Sequence, residues 1–147
     1  MELVVFCGIP GSGKTTFYRE RLMATHVRVG LDLMKTRERE DVLLHACLAA
    51  QQPLVVDNTS PTSPQRARYA RLARAAGFRA VLYYFDVPPD VAVARNAARA
   101  GAARVPDVAI YGTRKKLQPP AADEGFDAVF RVTDDGQGGF AVEEQRL

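Results

Sequence analysis

The sequence is poor in the residue types that build disulfide frameworks and metal sites, with two cysteines and two histidines among 147 residues. Cys7 lies in an apolar run that predicts a strand, and Cys47 lies on the apolar face of a predicted helix. Neither belongs to a Cys-x-x-Cys pair, so we expect buried thiols in a reducing compartment and no disulfide or zinc site. His26 and His45 are far apart and lack the spacing of metal ligands.

The chain also lacks a long apolar run, internal repeats and a low-complexity linker. No segment approaches the roughly 20 apolar residues that cross a bilayer, and Met1 leads directly into an apolar strand without room for a signal peptide. These features predict a cytoplasmic protein that does not associate with membranes. The length is typical of one domain, and we expect a single domain over residues 1–147.

Lysine is scarce, since only four of the 20 basic residues are lysines and arginine supplies the remaining positive charge. The net charge is +3 and the isoelectric point is near 9.1. A mildly basic protein can bind an anionic partner such as nucleic acid, but this charge alone does not require one.

One motif dominates the sequence: the segment from Gly8 to Thr15, GIPGSGKT, matches the phosphate-binding pattern G-x-x-x-x-G-K-[ST] completely. An apolar strand precedes it, and a helix is predicted from Lys14 to about Met23, which is the context that the motif requires. Glycines let the backbone N–H groups turn toward phosphate oxygens, and the helix dipole adds positive potential. The predicted nucleotide-binding residues are Gly8, Pro10, Gly11, Ser12, Gly13, Lys14, Thr15 and Thr16. Lys14 is expected to contact the β- and γ-phosphates, and Thr15 to bind Mg²⁺.

Apolar strands alternate with helical patterns along the rest of the chain. Further strands are predicted at 26–31, 54–56, 80–85 and 126–132, with a returning hairpin over 136–142, and helices at about 36–50, 61–76, 88–100 and 107–117. This alternation predicts an α/β fold of the P-loop NTPase type, a mostly parallel sheet of about five strands with helices on both faces. In the helix over 36–50, the predicted buried stripe is Val42, Leu43, Ala46 and Cys47. The next helix is expected to begin at Ser60-Pro61 or Ser63-Pro64.

Three predicted strands end in an aspartate, at Asp32, Asp57 and Asp86. Ligands of parallel α/β sheets lie at the carboxyl ends of the strands, so these acids are candidates for the site. Asp57 ends a very apolar strand, where an acid is costly unless it is paired. We expect it to hold the hydration shell of Mg²⁺ or to anchor Lys14 or Thr15. Asp86 precedes two prolines and is predicted to be structural.

Asp32 is the better candidate for a base that accepts the proton of an acceptor hydroxyl. Arg28, Lys35 and Arg37 lie near it in the sequence and are expected to hold an anionic substrate. The alternative is that Asp32 only caps a helix.

A second group of basic residues follows the fourth strand. Arg95 and Arg99 are four residues apart and share one helix face, and Arg104 follows in a glycine-containing loop. This pattern predicts a helical lid over about residues 95–106 whose arginines close on the transferring phosphates. Ordinary exposed arginines are the alternative.

Beyond the phosphate-binding motif, the sequence resembles the kinase domain of the polynucleotide 5′-hydroxyl kinases of phages and animals. The segments that carry the likeness lie in the same order and spacing as in the animal domain: the motif up to Phe17, DNT at 57–59, RARY at 66–69, ARAAG at 73–77, VPD at 105–107, YG-x-RK at 111–115 and EGF at 124–126. The likeness extends to about Val132. Two positions differ: Lys35 stands where phage-type members have arginine, and Gly30-Leu31 replaces the usual Asn-Arg.

The resemblance implies a kinase that uses ATP and Mg²⁺ to phosphorylate the 5′-hydroxyl of DNA or RNA ends, with no obligate protein partner. It implies that Lys14 and Thr15 bind ATP and Mg²⁺, that Asp32 is the general base, and that Asp57 supports the catalytic centre. Arg95 and Arg99 would contact the ATP phosphates. The chain contains no Asp-x-Asp-x-Thr stretch of the 3′-phosphatase domain. Two other functions stay open, a small-molecule kinase of the same fold and a module that only binds or hydrolyses ATP.

Overall fold

A mostly parallel sheet forms the centre of the structure, a computed structural model that describes residues 1–147 apart from the side chain of residue 102. The six strands of the sheet are β1 (Glu2–Cys7), β2 (Val27–Val29), β3 (Leu54–Val56), β4 (Arg79–Phe85), β5 (Ala128–Asp134) and β6 (Phe140–Gln145). Their order is β2-β3-β1-β4-β5-β6, and only β6 runs antiparallel to its neighbour.

Helices connect the parallel strands. They are α1 (Lys14–Arg21), α2 (Leu31–Met34), α3 (Arg37–Ala49), α4 (Ser63–Ala75), α5 (Pro89–Ala97) and α6 (Asp107–Lys116), with 3₁₀ turns at Gly101–Ala103 and Ala122–Glu124. In the part of the chain that the structure describes, none of these helices is both long and apolar enough to cross a membrane. The predicted α/β fold is confirmed.

The central strand β1 is buried on both faces, which explains why its sequence is apolar without alternation. Leu3 and Val5 pack into the core that α3 and α4 cover, whereas Val4 and Phe6 pack into the core on the opposite face. There the rings of Phe6 and Phe17 of α1 meet edge to face with centroids 5.9 Å apart. Helices on both faces therefore fix the position of the loop that leaves β1.

The strand predicted over 26–31 is wrong beyond Val29, because residues Leu31–Met34 form the short helix α2. A Cβ at Gly30 would lie 2.6 Å from the carbonyl oxygen of Asp57, so the two backbones are in direct contact there. The Leu31 N–H donates to the Asn58 side-chain oxygen at 2.9 Å, which starts the helix. Asp32 consequently lies in the first turn of a helix and not at the end of a strand.

The predicted buried stripe of α3 needs correction, whereas α4 begins at the later of its two predicted starts. Val42 and Ala46 are exposed, and the buried face of α3 consists of Glu40, Leu44, Cys47 and Leu48. The spacing of these four is helical, but the charge of Glu40 excluded it from a stripe sought among apolar residues. Helix α4 begins at Ser63 with Thr62 as its N-cap, and the Thr62 N–H donates to Gln65 Oε1 at 3.2 Å.

The returning strand at the carboxyl end begins four residues later than predicted, since β6 begins at Phe140 and not at residue 136. The turn itself occupies the intervening residues, because the Asp135 carboxylate accepts from the N–H groups of Gln137 and Gly139 at 2.7 and 2.9 Å. These backbone hydrogen bonds lower the pKa of Asp135. As a result the Phe140 ring packs against Phe17 of α1, with centroids 5.3 Å apart.

Candidate active site

The phosphate-binding loop joins β1 to α1 and takes a shape that its glycines permit. Gly11 and Gly13 have φ values of 81° and 95°, in the left-handed region that other residues rarely adopt. A Cβ at Gly11 would also lie 2.5 Å from the Ala92 carbonyl oxygen, so α5 packs directly on the loop. The Gly8 N–H donates to the Thr59 carbonyl at 3.0 Å and ties the loop to the segment after β3.

Lys14 places its ammonium group within the curve of this loop. Its Nζ donates to the carbonyl oxygens of Gly8 and Ile9, each at 2.9 Å. The side chain is buried, and the loss of water around the ammonium lowers the pKa of Lys14 to about 8. A lysine held in this way lacks a full counter-charge, which is a favourable setting for binding an anion.

Charged groups from three other parts of the chain also influence the pKa of Lys14. The carboxylates of Asp57 and, more weakly, Asp32 oppose the lowering of the Lys14 pKa, whereas the guanidinium of Arg99 adds to it. The three groups come from the end of β3, from α2 and from the segment after α5. Of these three groups, Asp57 is the one with a hydrogen bond to the phosphate-binding motif, through Thr15.

Thr15, Asp57 and Arg28 form a tight cluster at the start of α1. Asp57 Oδ2 accepts from Thr15 Oγ1 at 3.1 Å and from Arg28 Nε at 2.7 Å. Of the partners predicted for Asp57, Thr15 is the one it hydrogen-bonds. The Thr15 hydroxyl and the Asp57 carboxylate are neighbouring oxygen donors of the kind that Mg²⁺ prefers.

Arg28, one of the three basic residues expected to hold the substrate, is ion-paired with Asp57. Alternation along β2 directs Val29 into the core under α3 and α4, so Arg28 points to the opposite face, where α1 begins. Its guanidinium neutralises the buried Asp57, and Nη2 also reaches Thr15 Oγ1 at 3.4 Å. The pairing of Arg28 with Asp57 was not predicted from the sequence.

The other predicted substrate residues lie around α2. Asp32 is exposed in the first turn of that helix, and Lys35 ends it with a φ of 69° and an exposed side chain. Arg37 donates through Nη1 to Tyr69 Oη at 2.7 Å and to Glu40 Oε1 at 3.0 Å. Arg37 lines a cavity of about 430 Å³ together with Leu31, Asn58, Arg68 and Tyr69, whereas Asp32 and Lys35 are not among its lining residues.

Of the arginines predicted to form a lid, Arg95 contacts the phosphate-binding loop. Arg95 Nη1 donates to the Ser12 carbonyl at 3.1 Å, and Nη2 donates to Asp134 Oδ2 at the same distance. Arg99 Nη1 donates to the Ala103 carbonyl at 3.2 Å. Arg104 is exposed.

Asn96, which the sequence analysis did not single out, connects α5 to the loop that follows it. It is fully buried, its Nδ2 donates to the Val105 carbonyl at 2.6 Å, and its Oδ1 accepts from the Val105 N–H at 2.9 Å. A lone amide in a helix of alanines and arginines is the only sequence signal for this role. These bonds hold the loop against the helix that carries Arg95.

A second cavity, of about 670 Å³, lies between the start of α5 and the end of β5 and is bordered by Asp134, the ion-pair partner of Arg95. Its lining includes Val87, Val91, Thr133 and Asp134. Asp86 also borders it and binds Arg131 of β5 at 2.8 Å, so this aspartate ties two strands together.

Residues 34–120 match the protein-family model AAA_33, described as an AAA domain. The chain belongs to this family. It is also similar to two curated proteins, which confirms the resemblance seen in the sequence. It is 26% identical over 135 residues to the bifunctional polynucleotide phosphatase/kinase of Schizosaccharomyces pombe, and 28% identical over 141 residues to a putative protein of the same kind from Acanthamoeba polyphaga mimivirus. The alignments cover 89% and 90% of this chain, but the chain spans only about a third, 33%, of each relative.

Solved structures share the fold at low sequence identity. A gluconokinase from Sinorhizobium meliloti superposes with a TM-score of 0.61 at 18% identity, over 90% of this chain and 82% of the other. Kti12 from Chaetomium thermophilum, in complex with ADP-AlF3, superposes with a TM-score of 0.63 at 16% identity, over 92% of this chain and 93% of the other. The AvrRxo1-ORF1:-ORF2 complex with ATP superposes with a TM-score of 0.69 at 14% identity, over 96% of this chain and 57% of the other. The chain therefore has a P-loop kinase fold.

Proposed function

We propose that this protein transfers the γ-phosphate of ATP to the 5′-hydroxyl of a DNA or RNA end. The observation that carries the proposal is the position of α2, the helix that bears Asp32, beside the phosphate-binding site. Gly30 and Leu31 at its start contact Asp57 and Asn58, and Asp57 in turn accepts a hydrogen bond from Thr15 of the phosphate-binding motif. A carboxylate on a helix anchored there is suitably placed to take a proton from a hydroxyl that attacks the γ-phosphate.

On the donor side, the N–H groups of the loop and Lys14 bind the phosphates of ATP. The Thr15 hydroxyl, with Asp57, would hold Mg²⁺, and the bound ion would neutralise part of the charge on the phosphates. Arg95 and Arg99 belong to a lid over about residues 95–106 and exchange their carbonyl partners for phosphate oxygens. The 670 Å³ cavity bordered by Asp134 takes the nucleoside part of the donor.

On the acceptor side, the Asp32 carboxylate takes the proton of the 5′-hydroxyl while the hydroxyl oxygen forms a bond to the γ-phosphorus. The bond from that phosphorus to the β–γ bridging oxygen breaks, and ADP leaves with the electron pair. Lys35 and Arg37 bind the backbone of the acceptor strand near the 430 Å³ cavity. Lysine offers a point charge and not the bidentate fork of arginine, so it binds a phosphate without fixing its orientation.

The substrate class is supported by two observations. The curated relatives are named as polynucleotide phosphatase/kinases, and the acceptor cavity is bordered by two arginines, Arg37 and Arg68, which pair with Glu40 and Asp41. The gluconokinase likeness concerns the fold alone and provides the competing class, a small neutral or singly charged acceptor.

An acceptor panel tests the proposal. With γ-labelled ATP and Mg²⁺, we expect label in a 5′-hydroxyl oligonucleotide at a kcat/KM on the order of 10²-fold above that for the matching nucleoside, or for gluconate and other sugars. Phosphate contacts beyond the reacting group cause this difference, so it should shrink as salt rises. Equal labelling of sugars, or hydrolysis of ATP with no labelled acceptor, would contradict the proposal.

A further inference from the structure

A fully buried carboxylate lies behind the acceptor side of the site. Glu40 extends from the inner face of α3 and is 0% exposed. Its Oε1 accepts from Arg37 Nη1 at 3.0 Å and from the Tyr69 hydroxyl, and its Oε2 accepts from Asn58 Nδ2 at 2.8 Å. Burial of the phenol and its bond to Glu40 both raise the pKa of Tyr69, so Tyr69 stays a donor. All three partners of Glu40 are therefore donors.

Asn58 connects the Glu40 carboxylate to α2 through two hydrogen bonds. Its Oδ1 accepts from the Leu31 N–H at 2.9 Å while its Nδ2 donates to Glu40. Only this orientation of the amide satisfies both partners, because Glu40 can only accept and the backbone N–H can only donate. Glu40 thereby fixes which atom of Asn58 faces α2.

Helix α2 depends on such outside support. It has four residues, Leu31–Met34, and helices this short do not hold their shape alone. The hydrogen-bonded Leu31 directly precedes Asp32. Loss of the bond from Leu31 to Asn58 would release the turn that carries the Asp32 carboxylate.

We propose that Glu40 is a positioning residue for Asp32 and acts through Asn58 on the first turn of α2. The inference rests on the role of Asp32 proposed above. A buried ionic network of this kind adds little to stability compared with an apolar replacement, but it can select one geometry. Here the selected geometry is that of Asp32, the exposed carboxylate on α2.

The variant Glu40→Gln tests this idea with almost no change of shape. Glutamine has one acceptor oxygen, which Arg37 and Tyr69 occupy, and an NH₂ group that then faces the NH₂ of Asn58. Asn58 can accept from the new donor only by turning its amide, which places its own NH₂ against the Leu31 N–H. The Leu31 bond is therefore lost in this variant.

Glu124→Gln is the matched control. Glu124 is also buried and paired with an arginine, since its Oε1 accepts from Arg66 Nε at 2.7 Å. Its partners are on α4 and in the turn that begins at Ala121, and none is on α2. If Glu40→Gln fails to fold, Asn58→Ala removes the same connection without placing a donor in the core.

Amide exchange needs no acceptor and is measured first. We expect the Leu31 amide to exchange at least about tenfold faster in Glu40→Gln, or in Asn58→Ala, and at the wild-type rate in Glu124→Gln. An unchanged Leu31 rate in Glu40→Gln and Asn58→Ala overturns the proposal. This arm decides the inference even if the wild-type protein phosphorylates no oligonucleotide, a result that would overturn the proposed function instead.

Turnover is the second arm. With the oligonucleotide acceptor, we expect Glu40→Gln to lower kcat on the order of tenfold, with the KM for ATP unchanged. In an Asp32→Asn background the same change should cause no further fall, because there is no base left to position. An equal fall in both backgrounds shows that Glu40 acts elsewhere and overturns the proposal.

Discussion

The side chains of Asp57 and Asn58, neighbours in the chain, hold two different helices of the site. Asp57 accepts from the Thr15 hydroxyl on α1 at 3.1 Å, and Asn58 accepts from the Leu31 N–H on α2 at 2.9 Å. One dipeptide after β3 therefore sets the distance between the phosphate-binding helix and the helix that carries Asp32. In an in-line transfer, this is the distance between the donor side and the acceptor side.

The burial of Lys14 predicts that ATP binding takes up a proton. Burial lowers the Lys14 pKa to about 8, and bound phosphates supply the missing counter-charge and raise it. At a pH between the Lys14 pKa of the free protein and that of the ATP complex, ATP binding takes up protons. ATP affinity then falls as the pH rises, by at most about tenfold per pH unit. Below pH about 7, Lys14 is protonated in both states and the effect disappears.

Calorimetry of ATP binding at pH about 8.5, in two buffers of different ionisation heat, measures this uptake. We expect a clear fraction of one proton for the wild type and close to none for Lys14→Met, which should also bind ATP weakly and lose activity. Equal uptake by the two proteins would assign the proton to another group.

Asp32→Asn should lower kcat on the order of 10²-fold to 10⁴-fold with near-normal ATP affinity, because it keeps the shape of the side chain and removes the base. Steady-state kinetics with the oligonucleotide acceptor measure the loss. Asp90→Asn, at an exposed position in the first turn of α5, is a control that should keep the wild-type rate. If kcat of Asp32→Asn stays near the wild-type value, Asp32 is not the base.

Asp57→Asn should destabilise the fold by about 3 kcal/mol, because it leaves the guanidinium of Arg28 unpaired in a largely buried position. Asp41→Asn breaks the 2.7 Å pair with Arg68, whose side chains are 33% and 36% exposed, and should cost less than about 1 kcal/mol. Urea denaturation gives both values of the free energy of unfolding. Similar losses of unfolding free energy in the two variants would mean that the Asp57–Arg28 pair is not stronger than the Asp41–Arg68 pair.

The nucleotide side of the site could be predicted from the sequence because its determinants are local. The loop, Lys14 and Thr15 follow one another in a motif, and Asp57 ends a strand whose apolar run is unmistakable. A parallel sheet then brings that strand end to the loop by topology alone. The prediction that Asp57 would be paired also came from its apolar surroundings.

The acceptor side depends on contacts that no local pattern contains. The end of β2 is set by the backbone contact between Gly30 and Asp57, which lie far apart in sequence. Glu40 sits in the buried face of α3 because Tyr69 and Asn58 satisfy it there, and a search for apolar periodicity passes over it. Side-chain pairs between elements are fixed only when the elements pack.

Lys35→Gln should raise the KM for an oligonucleotide several-fold and leave the KM for ATP unchanged, because the lost charge would contact the acceptor backbone. The plot of log(kcat/KM) against log of salt concentration should become shallower by about 0.7, the value for one contact to a single strand. Arg79→Gln is the control, since Arg79 pairs with Glu2 at the amino ends of the strands, away from the loop. An unchanged slope for Lys35→Gln would exclude a phosphate contact at this position.

The position of the transferred phosphate tests the central claim most directly. One oligonucleotide is prepared with a free 5′-hydroxyl and, separately, with that oxygen methylated, and each is incubated with γ-labelled ATP and Mg²⁺. The account predicts label in the first strand, at its 5′ end, and none in the second. Equal label in both strands, or label in neither while a small alcohol is phosphorylated, would contradict it.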